Sequence, residues 1–258
     1  MKYLIAILIF VYSAACFGQN SHLFRTIYYP AEPFGGEKEL KTFIKQEFVY
    51  PDSALQNGLE GEAFITFKVN SKGHVIYKEV AKNVPLILQK EASRIFDKIV
   101  WEQDPSRSDP DLGFEKLRID FKIKKYQKLI KKRGYEHLPN IDNPYVLESN
   151  YYNINQVDIK PEFNAATNFN KFLKENFNYP NIALQQGISG RVTVEFIIEP
   201  YGLASNIRIK EAVGGGCNEE TARLVRLMKW SPALKNNKAV RCLYEYQLNF
   251  VNPGGSVR

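Results

Sequence analysis

The chain has 258 residues, a formal net charge of +7, 44% hydrophobic and 24% charged residues. That balance is ordinary for a folded protein with a core, and the length suggests two small domains rather than one large one. The few cysteines (Cys16, Cys217, Cys242) and histidines (His22, His74, His137) lie far apart, which argues against a disulfide framework or a closed zinc site.

Lys2 and the apolar run Tyr3 to Val11 lead into small residues that end at Cys16-Phe17-Gly18. This is the pattern of a secretory signal peptide over residues 1–18, and the run is well short of the ~20 residues a membrane-spanning helix needs. A second reading makes Cys16 a lipidated N-terminus, because Ser13-Ala14-Ala15-Cys16 loosely resembles a lipobox. For an exported protein, the positive charge fits acidic envelope polymers and membrane faces better than nucleic acid, and no nucleic-acid motif with interleaved aromatics is present.

After the leader the chain repeats itself. YPDSALQNGLEGEAFITFKVNSKG from Tyr50 and YPNIALQQGISGRVTVEFIIEPYG from Tyr179 align at an offset of 129 residues, and the register holds without a gap from Phe34/Phe163 to Phe121/Phe250. In each copy, a short helix around Phe43 to Phe48 (Phe172 to Phe177) enters the Tyr-Pro turn. A second short helix at Ala54-Leu55 (Ala183-Leu184) ends near Gly58 (Gly187), where glycine tolerates a left-handed cap. Strict alternation at Ala63, Ile65, Phe67, Val69 and at Val192, Val194, Phe196, Ile198 predicts a half-buried strand. Turns at Asn70 to Gly73 and Glu199 to Gly202 lead to second strands at Val75 to Val80 and Leu203 to Ile209. Ala92, Ile95, Phe96, Ile99 and Thr221, Leu224, Val225, Met228 have helical spacing, closed by Trp101 and Trp230. The last strand alternates through Leu117, Ile119, Phe121 and through Val240, Cys242, Tyr244, Tyr246, Leu248, Phe250. The expected fold class is α+β, with two tandem domains at 30–121 and 158–252, each a three-stranded antiparallel sheet against one main helix plus short N-terminal helices. The connection 122–157 matches neither copy. It opens with the basic run KIKKYQKLIKKRGYEH, which could extend the preceding strand or form a short helix, and continues with an Asn- and Tyr-rich piece; the stretch is read as a solvated linker, and a contact of the basic run with acidic lipid or peptidoglycan is the functional alternative.

These residues resemble the C-terminal domain of the TonB family in its Bacteroidota form. Copy two carries the ordered set Tyr179-Pro180, Gly187, Gly190, Gly214-Gly215-Gly216-Cys217-Asn218-Glu219-Glu220, Trp230 and Pro232. Copy one keeps Pro33-Phe34-Gly35-Gly36, Tyr50-Pro51, the paired glycines and Trp101, but has Pro85-Leu86-Ile87-Leu88 in place of the glycines and cysteine, so it is a diverged unit. The resemblance implies a non-enzymatic, protein-binding module. An extended peptide from an envelope partner, in this family an outer-membrane transporter, adds beside the last strand. The candidate contact residues are Arg241, Leu243, Glu245, Gln247 and Asn249, on the outward face of the closing strand. A periplasmic location follows, with no cofactor or metal, and an exposed edge could also pair with its twin in a homodimer. The alternative is an envelope scaffold that binds peptidoglycan or itself. Residues 19–29 leave no room for a long Pro-rich, force-transmitting arm.

VGGGCNEE, Val213 to Glu220, invites an enzymatic reading and does not sustain it. The glycines suit a tight strand-to-helix turn, Asn218 is a candidate N-cap, and Glu219 and Glu220 suit the positive helix end. No histidine lies nearby in sequence to act as base, and no Gly-Lys-Ser/Thr follows to hold phosphate. Cys242 belongs to the inward face of its strand, and a Cys217–Cys242 bridge is not expected, since the two should sit at opposite ends of a helix.

Overall fold

The computed structural model describes residues 30–105, 113–138, 150–164 and 168–252. Residues 1–29, with the expected signal peptide and Cys16, lie outside them. Among the described residues, no helix is long and apolar enough to cross a membrane.

The first domain comprises α1 (Gly36–Glu47), α2 (Asp52–Gln56), β1 (Gly61–Val69), β2 (Val75–Val80), α3 (Leu86–Asp97) and β3 (Glu115–Phe121). Its antiparallel sheet has the order β2-β1-β3. Period-two alternation puts Ala63, Ile65, Phe67 and Val69 on one face, where all four are buried against Leu88, Ala92, Ile95 and Phe96 of α3. Leu117, Ile119 and Phe121 of β3 continue the same face, as the sequence predicts.

The second domain comprises β5 (Glu162–Phe163), α5 (Phe169–Asn176), α6 (Asn181–Gln185), β6 (Gly190–Ile198), β7 (Ala204–Glu211), α7 (Cys217–Leu227), β8 (Trp230–Ser231), β9 (Ala233–Lys235), β10 (Lys238–Val240) and β11 (Cys242–Phe250). The same logic buries Val192, Val194, Phe196 and Ile198 against Leu224 and Val225. Three details depart from the sequence reading. The closing strand is broken at Arg241 into β10 and β11. The sheet has four strands, β4-β11-β6-β7, because β4 (Tyr152–Asn153), from the inter-domain stretch, pairs in parallel with the start of β11. Small two-stranded pairs, β5 with β8 and β9 with β10, flank it.

The repeated residues explain themselves as a latch. Tyr50 donates its hydroxyl hydrogen to the Leu59 carbonyl, and Tyr179 does the same to Ile188 at 2.6 Å. Glu91 of α3 accepts from the Val49 N–H at 3.0 Å, and its counterpart Glu220 of α7 accepts from the Asn178 N–H at 2.7 Å. Arg94 and Arg223 pair with these glutamates and donate to the carbonyls of Glu47 and Asn176. Each Glu–Arg pair therefore ties the main helix to the turn before Tyr-Pro, satisfying backbone groups that no strand or helix serves.

The inter-domain stretch is structured at both described ends rather than a solvated linker throughout, and of the two local forms open to its basic run it takes the short helix. Its basic run forms α4 (Ile123–Arg133). Tyr126 is buried among Phe48, Tyr50 and Phe121, with ring centroids 5.6 Å from Phe48 and 5.4 Å from Tyr50. Arg133 donates to the carbonyls of Lys45 (3.0 Å), Phe48 (2.7 Å) and Tyr135 (2.8 Å), which staples the end of α4 to the first domain.

Candidate functional site

The two domains are packed together, and that packing decides which sheet edge is left open. The outer edge of the first half of β7, Ala204 to Ile207, is covered by α1 of the first domain. Glu39 accepts from the Ile207 N–H at 3.1 Å, and the Gln46 amide donates to the Ala204 carbonyl at 2.9 Å. Glu39 is also paired with Arg226 of α7. Gly35, at φ 81°, lets the chain approach so closely that an added Cβ would stand 2.0 Å from the Ile207 carbonyl oxygen. This is an edge protected by side chains of a neighbouring repeat rather than by another strand.

The same packing covers one end of the sheet's outer face. Phe34 and Val100 of the first domain bury Ile197 and pack against Leu243. Asn206, in the left-handed region at φ 47°, accepts from the Val100 N–H at 3.0 Å. Beneath lies a buried ionic chain. Arg241, 2% exposed, holds Glu199 through Nε at 3.2 Å to each carboxylate oxygen and Nη2 at 3.0 Å. Its Nη2 also donates to the Lys98 carbonyl at 2.8 Å. Lys98 Nζ lies 3.6 Å from Glu199 and 2.9 Å from Glu47, so the chain runs from the second domain into the core of the first. Burial alone would push the Glu199 carboxyl up. The attraction of Arg241 and Lys98, with hydrogen bonds from Ser205 and Arg241, outweighs it and holds the group below the usual carboxylate range.

The opposite edge, β11, is different. β4 pairs with Cys242 and Leu243 only, and the Tyr152 N–H donates to the Arg241 carbonyl at 3.0 Å. The chain then turns away, closed by Gln156 N–H to the Asn153 carbonyl at 2.8 Å. Among the described residues, no strand pairs with β11 on this side from Tyr244 to Phe250. Backbone groups alternate sides along a strand, and Arg241 faces β4. The N–H and C=O groups of Glu245, Gln247 and Asn249 therefore point out of the open edge, while those of Tyr244, Tyr246 and Leu248 face β6. At the fork where β4 departs, a cavity of ≈ 440 Å³ is lined by Asn153, Ile154, Gln156, Glu195, Leu243 and Glu245, among others.

The five residues expected on the outward face are therefore not equivalent. Glu245, Gln247 and Asn249 are exposed on the open edge. Leu243 is half-buried between β4 and the first domain. Arg241 is not a surface contact: alternation does place it on the outer face, but at the end that the first domain covers. The residues missed by sequence reasoning are Glu199, Asn206 and Lys98. Glu199 was legible only as a turn residue, and a charged side chain in a turn gives no sign of burial until its partner domain is placed.

The glycines of the family motif in copy two form the turn that leads into α7. Gly214, Gly215 and Gly216 all have positive φ (87°, 59° and 91°), and an added Cβ on Gly215 would stand 2.7 Å from the Ile188 side chain. α7 begins at Cys217, one residue before the expected cap. Asn218 instead lies in the first turn and accepts from the Val213 N–H at 3.0 Å. Cys217 is a buried free thiol, pushed up by burial and by Glu219. Cys242 is likewise buried and free, and burial raises it to about 11. Among the described residues, no group of three or more His, Cys, Asp or Glu side chains is arranged to hold a metal ion.

Comparison with known families matches residues 46–123 and 175–251 to the family described as Gram-negative bacterial TonB protein C-terminal. The chain belongs to that family and carries its domain twice. Among solved structures it is similar to the solution NMR structure of the Pseudomonas aeruginosa TonB C-terminal domain, at 23% identity over 41% of this chain and 97% of that one, with a TM-score of 0.30. No curated protein matches.

Proposed function

We propose that this protein is exported to the periplasm and binds an extended peptide of an envelope partner by strand addition at β11. The partner is a TonB-dependent outer-membrane transporter, and the role is in transmembrane transport rather than catalysis. The observation that carries the reading is the asymmetry of the second domain's sheet. Its β7 edge is covered by α1 over Ala204 to Ile207, whereas β11 offers the outward N–H and C=O groups of Glu245, Gln247 and Asn249. In strand addition those groups supply affinity, and pockets beside the strand supply selectivity. In this reading one side chain of the incoming strand occupies the cavity at the β4–β11 fork. The contact set is Glu245, Gln247 and Asn249, with Leu243 flooring the cavity.

The test is a photo-crosslinking residue at position 247 in cells, with a control probe at Ile76 on the exposed strand β2. Capture from position 247, and not from 76, of an outer-membrane transporter's N-terminal segment supports the reading. Capture of only a second copy of this chain, or of peptidoglycan-linked material, would replace it with a self-associating or scaffold role.

A further inference from the structure

We infer that α4 is an electrostatic foot that docks the protein onto an anionic phospholipid surface. The helix carries lysines at 124, 125, 128, 131 and 132, all exposed. At about 100° per residue, these five fall within one arc of about 120° and extend about 12 Å along the axis. Tyr126 and Ile130 point from the opposite side, where Ile123, Leu129 and Ile130 pack on the first domain's core around buried Tyr126. The basic face is thus turned away from the protein and held rigidly by Tyr126 and by the Arg133 staple.

The lysines do little for the fold. Lys125 lies 3.3 Å from Asp120, which also pairs with Arg118. Among the described residues, Lys124, Lys128, Lys131 and Lys132 have no carboxylate within 4.0 Å; the nearby Lys122–Glu60 pair at 3.7 Å lies just before the helix. α4 lies in the stretch between the two copies. Five like charges on one rigid face repel one another, and a planar array of anions relieves that repulsion at all five together. A lysine near an anionic leaflet contributes about a fivefold gain in partitioning. Because the apolar side of α4 is used inside the protein, it has nothing to insert, and the attachment is purely electrostatic and reversible by salt.

The experiment is flotation of the purified protein with vesicles of phosphatidylglycerol and phosphatidylcholine, compared with phosphatidylcholine alone, at about 50 and 500 mM salt. The expected result is binding to the anionic vesicles only, lost at high salt. Replacing all five α4 lysines by glutamine should reduce partitioning at least a hundredfold, with unchanged circular dichroism. A control with the exposed Lys72, Lys82, Lys90, Lys174 and Lys238 replaced instead carries the same charge change and should retain most of it. Equal loss in both variants would reduce the effect to net charge and overturn the inference. So would absence of vesicle binding, including the case in which the protein pelleted only with purified peptidoglycan.

Discussion

Replacing Arg241 by leucine should unfold the protein far more readily while leaving the open edge of β11 chemically intact. Arg241 supplies three contacts to Glu199, at 3.2, 3.2 and 3.0 Å, and one to the Lys98 carbonyl at 2.8 Å. Without it, a carboxylate with no solvent exposure keeps only the Ser205 hydroxyl at 2.6 Å and the Lys98 ammonium at 3.6 Å. Removing one partner of a buried pair costs about 3–5 kcal/mol, and the remaining Lys98 contact puts the expectation near the lower end, about 3 kcal/mol. With a urea slope of about 2–3 kcal/mol/M, the midpoint should fall by about 1 M or more. Circular dichroism during urea titration measures it. A companion variant with Glu199 also replaced by leucine removes the stranded charge and should recover at least about 1.5 kcal/mol of the loss, a coupling that only contacting residues show. A single-variant loss below about 1 kcal/mol, or a double variant no better than the sum, would refute the buried-pair account.

The same site gives a pH prediction. The folded-state pKa of Glu199 lies below its unfolded value, so its contribution is present above the ordinary carboxylate pKa of about 4.3 and is lost as pH falls through the lower folded value. Stability measured from pH 6 down to pH 3 should drop steeply below about pH 4, and the Arg241→Leu, Glu199→Leu double variant should show a shallower fall. Gly35→Ala should loosen the domain interface, since it combines a φ of 81° with a Cβ placed 2.0 Å from the Ile207 carbonyl oxygen. A loss above about 2 kcal/mol in urea, with faster amide exchange at Ile207, is expected. Cys217 should resist iodoacetamide at neutral pH in the native protein and react only on unfolding, because it is buried and both burial and Glu219 disfavour its thiolate. Stoichiometric labelling of the native protein would contradict the structural role of that turn.

Much of the fold was legible because the repeat states each element twice. Alternation at Val192 to Ile198 and at Ala63 to Val69 fixed the buried faces, since period two admits one inward set. What the sequence did not disclose was where the copies touch. Arg241 has the parity of Glu245 and Gln247, and only the position of Phe34 and Val100 on the same sheet face turns it from a surface cation into a buried one. Asn218 has a side chain suited to capping, yet Gly216 takes the bend before the helix and leaves Asn218 to hold Val213. The inter-domain stretch looked solvated because its lysines dominate its composition, whereas its fold depends on Tyr126 and Arg133. β4 is two residues long and has no period to read.

The most direct measurement of the open edge is amide hydrogen exchange along β11 in the unliganded protein, read residue by residue by NMR. The amides of Tyr244, Tyr246 and Leu248, which face β6, should exchange slowly, while those of Glu245, Gln247 and Asn249 should exchange fast and become protected when a captured partner peptide is added. Uniformly slow exchange through both sets in the free protein would mean that the edge is already paired, and strand addition at β11 would then be wrong.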